Sequence, residues 1–279
     1  ERTNQILIEL NYKNLQSHLG LSDSALPNFR SVEFSSFSQN GEDGILLFIF
    51  SFNGGKTRKV VEICAGDGIE CNSAKLVVNH GWHGLLVDGD ASLIARGEEY
   101  YRQKTNAWRF SRHTQPQFLH AWVTTQNINK LLLEQGFAGP IDLLSLYLDS
   151  VDFWIWESLN VANPRVVVVE FNNRIPADLA LTVPNITGWV SKSAGQDMLG
   201  YFGASLKAFN LLAINKGYRL IGVNEPSTNA FFMREDVGKE YFDAVSVDDY
   251  LKSSWALHQQ ALHWENLSRE DWVDVSHNL

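Results

Sequence analysis

Apolar positions along this chain fall in short dense runs separated by polar stretches of helical pattern. The run from Ile45 to Phe52 reads as a buried helix. From Lys59 onward, strand and helix signals alternate. Lys59-Val-Val-Glu-Ile-Cys64 predicts a buried strand that ends in a glycine turn, with a helix from Ile69 to Asn79 after it. Gly84 to Asp88 predicts a second strand and Ala91 to Gln103 a second helix, and Trp108 to Phe110 offers a short third strand. Gln126 to Gln135 is helical, Ile141 to Leu148 is a strand, Asp152 to Leu159 is a helix, and Pro164 to Glu170 is the most hydrophobic strand of the chain. Runs this apolar suit strands covered on both faces, which points to a parallel sheet under helices. The alternation itself is the α/β signature.

Beyond that point the pattern changes. Tyr201 to Lys216 reads as a long helix closed by Gly217. Tyr218 to Val223 and Ala230 to Arg234 then follow one another with only a short loop between them. Two strands that close together form an antiparallel pair. A doubly wound parallel sheet that ends in such a hairpin differs from a plain dinucleotide-binding sheet.

Three segments result. Residues 1–36 form an N-terminal helical appendage, with Leu7, Leu10 and Leu15 on one helix face. Residues 37–244 form the main domain. Residues 245–279 form a polar helical tail carrying Trp255, Trp264 and Trp272, which either packs back on the domain or makes a homo-oligomer contact. His258 and His263 in that tail are five positions apart and do not share a helix face well.

Composition narrows the partners. With 279 residues, the chain has room for a sizeable core. A net charge of −9 gives a polyanion no overall attraction, and no dense Lys/Arg run compensates, so nucleic acid and anionic membrane surfaces are disfavoured. No stretch reaches the ~18 apolar residues of a membrane span, and no signal-peptide pattern stands at the amino terminus. The two cysteines, Cys64 and Cys71, flank a glycine turn and are expected to be free thiols, which fits a cytoplasmic setting. The nine tryptophans are either pocket walls or large core residues.

Candidate chemistry centres on the first turn. Gly66 and Gly68 stand where a strand turns toward a helix and where backbone can approach a nucleotide-like ligand closely. Cys71 occupies the third position of a dinucleotide fingerprint, where Gly or Ala is expected. Asp88 ends the next strand and is either a ribose ligand or a solvated turn residue. Glu62 lies inside the first strand, where a charge is costly unless it is paired. An acid there suits a positively charged amine close by, as in the methionine part of S-adenosylmethionine, and a nicotinamide cofactor has no need of it. A nicotinamide-dependent oxidoreductase is therefore disfavoured at both Cys71 and Glu62.

The stretch Phe37-Ser-Gln-Asn-Gly-Glu-Asp-Gly-Ile45 resembles the entry motif of FkbM-type and related class I S-adenosylmethionine-dependent methyltransferases. Val60 to Asn72 with Gly84 to Asp90 is similar to their cofactor-binding half, and Trp122 to Asn129 to the segment that passes the adenine. Pro164 to Asn173, Tyr201 to Leu206 and Asn229 to Arg234 fit the later part, so the resemblance covers roughly residues 33–240. It implies a Rossmann-like, mostly parallel seven-stranded sheet with a C-terminal antiparallel hairpin and helices on both faces. It also implies methyl transfer from S-adenosylmethionine to a hydroxyl of a small-molecule or sugar-like acceptor. The matching positions make Gln39, Glu62, Ala65, Gly66, Asp67, Gly68, Asp88 and Gly89 cofactor contacts, and put Val123 beside the adenine.

One stretch departs from the family. Relatives end the fourth strand in an acid-rich pattern, whereas this chain reads Tyr147-Leu-Asp149-Ser-Val-Asp152. Tyr147 replaces the first acid. The catalytic role then falls to Asp149, to Asp152 or to Tyr147 itself; otherwise the fold binds S-adenosylmethionine or another ligand without transferring a methyl group. Asp152 is equally a helix N-cap. Asn172 and Asn173 either orient an acceptor or are turn residues. Asp149 with Glu170 could hold a divalent metal, although the missing first acid argues against it.

Overall fold

The computed structural model describes residues 2–18, 26–105, 115–189, 200–250 and 254–277. The chain opens with α1 (Arg2–His18), α2 (Phe29–Val32) and α3 (Glu42–Asn53). It then alternates through β1 (Lys59–Ile63), α4 (Ala74–His80), β2 (His83–Asp88), α5 (Ala91–Thr105), β3 (Gln117–His120), α6 (Ile128–Glu134), β4 (Gly139–Leu146), α7 (Asp152–Ser158) and β5 (Ala162–Glu170). After the short β6 (Leu181–Thr182) come α8 (Leu206–Asn215), β7 (Tyr218–Val223) and β8 (Asn229–Arg234). The tail holds α9 (Val247–Tyr250), α10 (Ser254–Leu267) and β9 (Val273–Asp274).

Seven strands form one sheet in the order β3-β2-β1-β4-β5-β8-β7. The first five are mutually parallel, and β8 runs antiparallel to both of its neighbours, β5 and β7. The fold is therefore the expected Rossmann-like sheet with a terminal hairpin. The chain moves outward from β1 to β3 and then returns to β4 on the other side of β1. That reversal opens a crevice at the carboxyl ends of β1 and β4, where open α/β sheets take their ligands.

The side-chain period of two sorts each strand between two cores. Val61, Ile63, Leu85, Val87, Leu144, Val167 and Phe232 point to one face, where Leu132 of α6, Trp156 of α7 and Phe209 of α8 cover them. Val60, Leu86, Leu143, Val166, Val168 and Phe231 point to the other, against Phe48 and Ile49 of α3 and Val77 of α4. The amino-terminal segment packs onto this second layer. Tyr12 meets Phe48 edge-on at 5.0 Å between ring centroids, and Phe29 meets Phe231 at 5.4 Å.

Several boundaries differ from the sequence expectation. The helix after the first turn starts at Ala74, not Ile69, because side chains capture the backbone N–H groups of the intervening residues. Asp67 takes that of Ile69, and Glu62 takes those of Asn72 and Ser73. The helix expected from Tyr201 starts at Leu206, with Ser205 as its N-cap accepting from Ala208 N. Gly203 just before it has a φ of 59°, and Ala204 bridges to Thr182. The third strand is Gln117–His120, while the candidate at Trp108 to Phe110 lies outside the described residues. The tail packs back on the domain. β9 pairs with β6, the Tyr201 hydroxyl donates to Asp271 O at 2.7 Å, and the Tyr201 and Trp272 rings meet at 4.7 Å. Among the described residues, no helix is long and apolar enough to cross a membrane.

Candidate functional site

Side chains that hold backbone build the crevice floor. Glu62 is 1% exposed and accepts from Asn72 N (3.0 Å), Ser73 N (2.7 Å) and the Ser145 hydroxyl (3.1 Å). Burial raises its pKa above the usual carboxylate value, and the hydrogen bonds pull the other way. Asp88 accepts from Gly66 N through one oxygen and from Asp90 N through the other, each at 2.8 Å. Between these anchors the chain turns sharply, and Cys64 takes a left-handed φ of 61°, uncommon for a residue with a side chain. The entry motif works the same way: Asp43 Oδ2 accepts from the N–H groups of Ser36, Phe37 and Ser38, which fixes the loop that presents Gln39.

Two cavities open on this floor. The larger, of about 870 Å³, runs along the carboxyl ends of β1, β2 and β4. The expected residues Asp88, Gly89, Val123 and Asp149 all line it. Trp122, the first residue of the segment expected to pass the adenine, also lines it, as do Asp90 and Trp189, for which the sequence suggests no role. Gly89 lets the Trp122 ring lie close, since a Cβ there would stand 2.9 Å from it. Trp122 itself is 56% exposed, an unusual state for so large an apolar side chain at a crevice mouth. On the far wall, the Thr187 hydroxyl reaches Gln126 at 3.5 Å.

The smaller cavity, of about 210 Å³, brings together Gln39, Glu62, Ala65, Gly66 and Tyr147. Glu70, Cys71 and Asn72 complete it, and Gln39 donates to Glu70 at 2.8 Å. Cys64 borders both cavities, so they adjoin at the end of β1. Its thiol pKa is raised by desolvation and then by the charges of Asp152, Asp88 and Asp149.

Three expected site residues line neither cavity. Asp67 turns away to Arg96, with the guanidinium 2.6 Å from its carboxylate, and so fastens the turn to α5. Gly68 belongs to the packing: its carbonyl takes the Tyr101 hydroxyl at 2.6 Å, and a Cβ there would meet Leu86 at 2.6 Å. Asp152 is 1% exposed and accepts from Leu148 N (2.8 Å) and Ser150 N (3.0 Å). Its carboxylate holds the loop before α7, and the N-cap position is Val151. Burial pushes the Asp152 pKa up to about 6, against those hydrogen bonds. Asn172 is likewise a loop fastener, donating to Gly200 O and Phe202 O.

At the carboxyl ends of β4 and β5, Tyr147, Asp149 and Glu170 converge. Burial raises the Glu170 pKa well above its ordinary value, and Asp149, within hydrogen-bonding reach, adds to the shift. Burial and then the Glu170 charge raise the Tyr147 phenol. Among the described residues, no group of three or more His, Cys, Asp or Glu side chains gathers in a metal-binding arrangement.

The parallel half, the crevice at its reversal point and the terminal hairpin decide the fold. This is the fold of the class I methyltransferases. No family model matches the chain, and no curated protein matches its sequence. Among solved structures, it is similar to the N-terminal domain of EvdMO1 with SAH bound, at 13% identity over 79% of this chain and 94% of that one, with a TM-score of 0.44. It is also similar to an O-methyltransferase from Bacillus cereus in complex with SAH (10% identity, 81% and 89% covered, TM-score 0.42). A SAM-dependent methyltransferase from Aquifex aeolicus stands at 14% identity, 81% and 97% covered, and a TM-score of 0.42.

Proposed function

We propose that this chain is an S-adenosylmethionine-dependent methyltransferase of FkbM type acting on a hydroxyl of a small, sugar-like acceptor. The observation that carries the reading is the pair of adjoining cavities at the carboxyl ends of β1 and β4, one bordered by Asp88 and Trp122 and one of amino-acid size bordered by Glu70 and Tyr147. These residues fit the cofactor. The Asp88 carboxylate has about four acceptor sites, and two backbone N–H groups leave sites for ribose hydroxyls. Gly89, Trp122 and Val123 offer an apolar wall for a flat base. Glu70, exposed at the small cavity, suits an ammonium group.

When bound, S-adenosylmethionine supplies an electrophilic methyl group on a positively charged sulfur. The chain's part is to hold the acceptor in line and to take its proton. Asp149 has the position for the proton, because it is exposed, lines the large cavity and stands beside Glu170. The free thiols at Cys64 and Cys71 agree with a reducing, cytoplasmic setting.

A second reading is a ligand-binding protein of this fold without methyl transfer. It is favoured by Tyr147 standing where an acid is expected and by Asp152 being locked to backbone. Calorimetry with S-adenosylhomocysteine, followed by transfer of a labelled methyl group to a panel of hydroxylated acceptors, tests both readings. The first expects binding and turnover, with Asp149→Ala keeping the binding and losing the turnover. Binding without turnover on any acceptor favours the second. An absence of binding at millimolar ligand rejects the cofactor reading.

A further inference from the structure

The polarity of the Tyr147 hydroxyl is fixed from behind. Glu42, at the start of α3, is 1% exposed. Its Oε2 accepts from Asn40 N at 2.8 Å, and its Oε1 accepts the side-chain amides of Asn224 (2.8 Å) and Asn229 (2.5 Å). Asn229 is fully buried. Its NH₂ group must face Glu42, because its carbonyl in that place would oppose a carboxyl oxygen already serving as an acceptor. The same NH₂ group lies 3.3 Å from Tyr147 Oη. Asn229 is therefore the donor in that contact and Tyr147 the acceptor.

A phenol has one proton of its own to give. No described residue accepts it in a hydrogen bond, and Tyr147 lines the small cavity. The donors and the buried carboxylate around it are engaged within the chain. Glu62 accepts from the Asn72 and Ser73 N–H groups and the Ser145 hydroxyl, Gly66 N is held by Asp88, the Asn72 amide donates to Ser145, and the Gln39 amide donates to Glu70. The cavity is thus acceptor-rich at Glu70 and carries an unspent hydroxyl donor at Tyr147.

We infer that Tyr147 is a ligand-binding donor and not a base: the Glu42–Asn229 relay leaves its proton for the carboxylate of an α-amino-acid tail lying in the small cavity. The raised phenol pKa agrees, since the hydroxyl keeps its proton throughout the neutral range. The position that carries an acid in relatives would here have the opposite polarity. The inference rests on the cofactor reading above, and the two can fail separately.

The test is calorimetry of two ligands on the wild type and on Tyr147→Phe. S-adenosylhomocysteine carries the amino-acid tail, and methylthioadenosine is the same nucleoside thioether without it. Tyr147→Phe is expected to weaken S-adenosylhomocysteine about 10-fold or more, the usual worth of a hydrogen bond to a charged group, and to change methylthioadenosine less than about twofold. Unchanged affinity for S-adenosylhomocysteine, or an equal fall for both ligands, would overturn the inference and leave the cofactor reading standing. Failure of the wild type to bind either ligand would overturn both.

Discussion

The Asp88 carboxylate receives the backbone N–H of Gly66 at 2.8 Å, across the gap between the ends of β2 and β1. One side chain thereby shapes the turn and faces the large cavity. Asp88→Ala is expected to lower affinity for S-adenosylhomocysteine about 100-fold, as two charge-assisted hydrogen bonds to the ribose are lost. Asp88→Asn should fall between the two, since an amide keeps one acceptor. Calorimetry reads both, and unchanged affinity in Asp88→Ala would mean that the ribose lies elsewhere.

Gly89 and Trp122 are a matched pair. A methyl group at Gly89 would stand 2.9 Å from Trp122 Cε3, and Trp122 is free to move because it is 56% exposed. Gly89→Ala is expected to keep the melting temperature within a few degrees and to cost about 10-fold in ligand affinity, within the range for overpacking a tight contact. A large fall in melting temperature with intact affinity would contradict this.

Asp152 sets a pH dependence of stability. Its folded pKa is raised to about 6, above the ordinary carboxylate value. Its contribution is therefore fully present below about pH 4 and is lost as pH rises through about 6, amounting to as much as about 3 kcal/mol. Urea unfolding between pH 4 and pH 7 should show the wild type losing ground to Asp152→Asn as pH rises. Parallel curves would show that Asp152 titrates normally.

The tail is held by few but fully buried side chains. Leu267 is 0% exposed, whereas Leu262, on the same helix, is 56% exposed. Leu267→Ala is expected to cost about 2–5 kcal/mol, and Leu262→Ala no more than about 0.5 kcal/mol. Equal costs in chemical denaturation would mean that α10 does not dock as described.

Most of the sheet was legible in the sequence because its signals are local. Val166 to Val169 can only be a strand buried on both faces, and the gap between Val223 and Ala230 is too short for anything except a hairpin. Glu62, Asp88 and the glycine turn were legible for a related reason, since a charge inside an apolar strand or at its end demands a partner. The third strand was less legible: Gln117–His120 is a short edge strand of intermediate burial with no apolar run to mark it. Nor could pattern alone separate Asp67 and Asp152 from Asp88 and Asp149. All four are acids near the carboxyl edge, and only the backbone path shows that the first two are spent on Arg96 and on the Leu148 and Ser150 N–H groups.

By itself, the sequence determined the fold class and the first turn, since periodicity and residue type need no distant partner. Tertiary structure decided what each polar group is free to do. Glu42 and Asn229 lie 187 positions apart, and both must converge on one edge before Tyr147 has a polarity at all. A hydrogen-bond donor or acceptor is defined by what its neighbours have already claimed, and those neighbours come from strands and loops that only folding brings together.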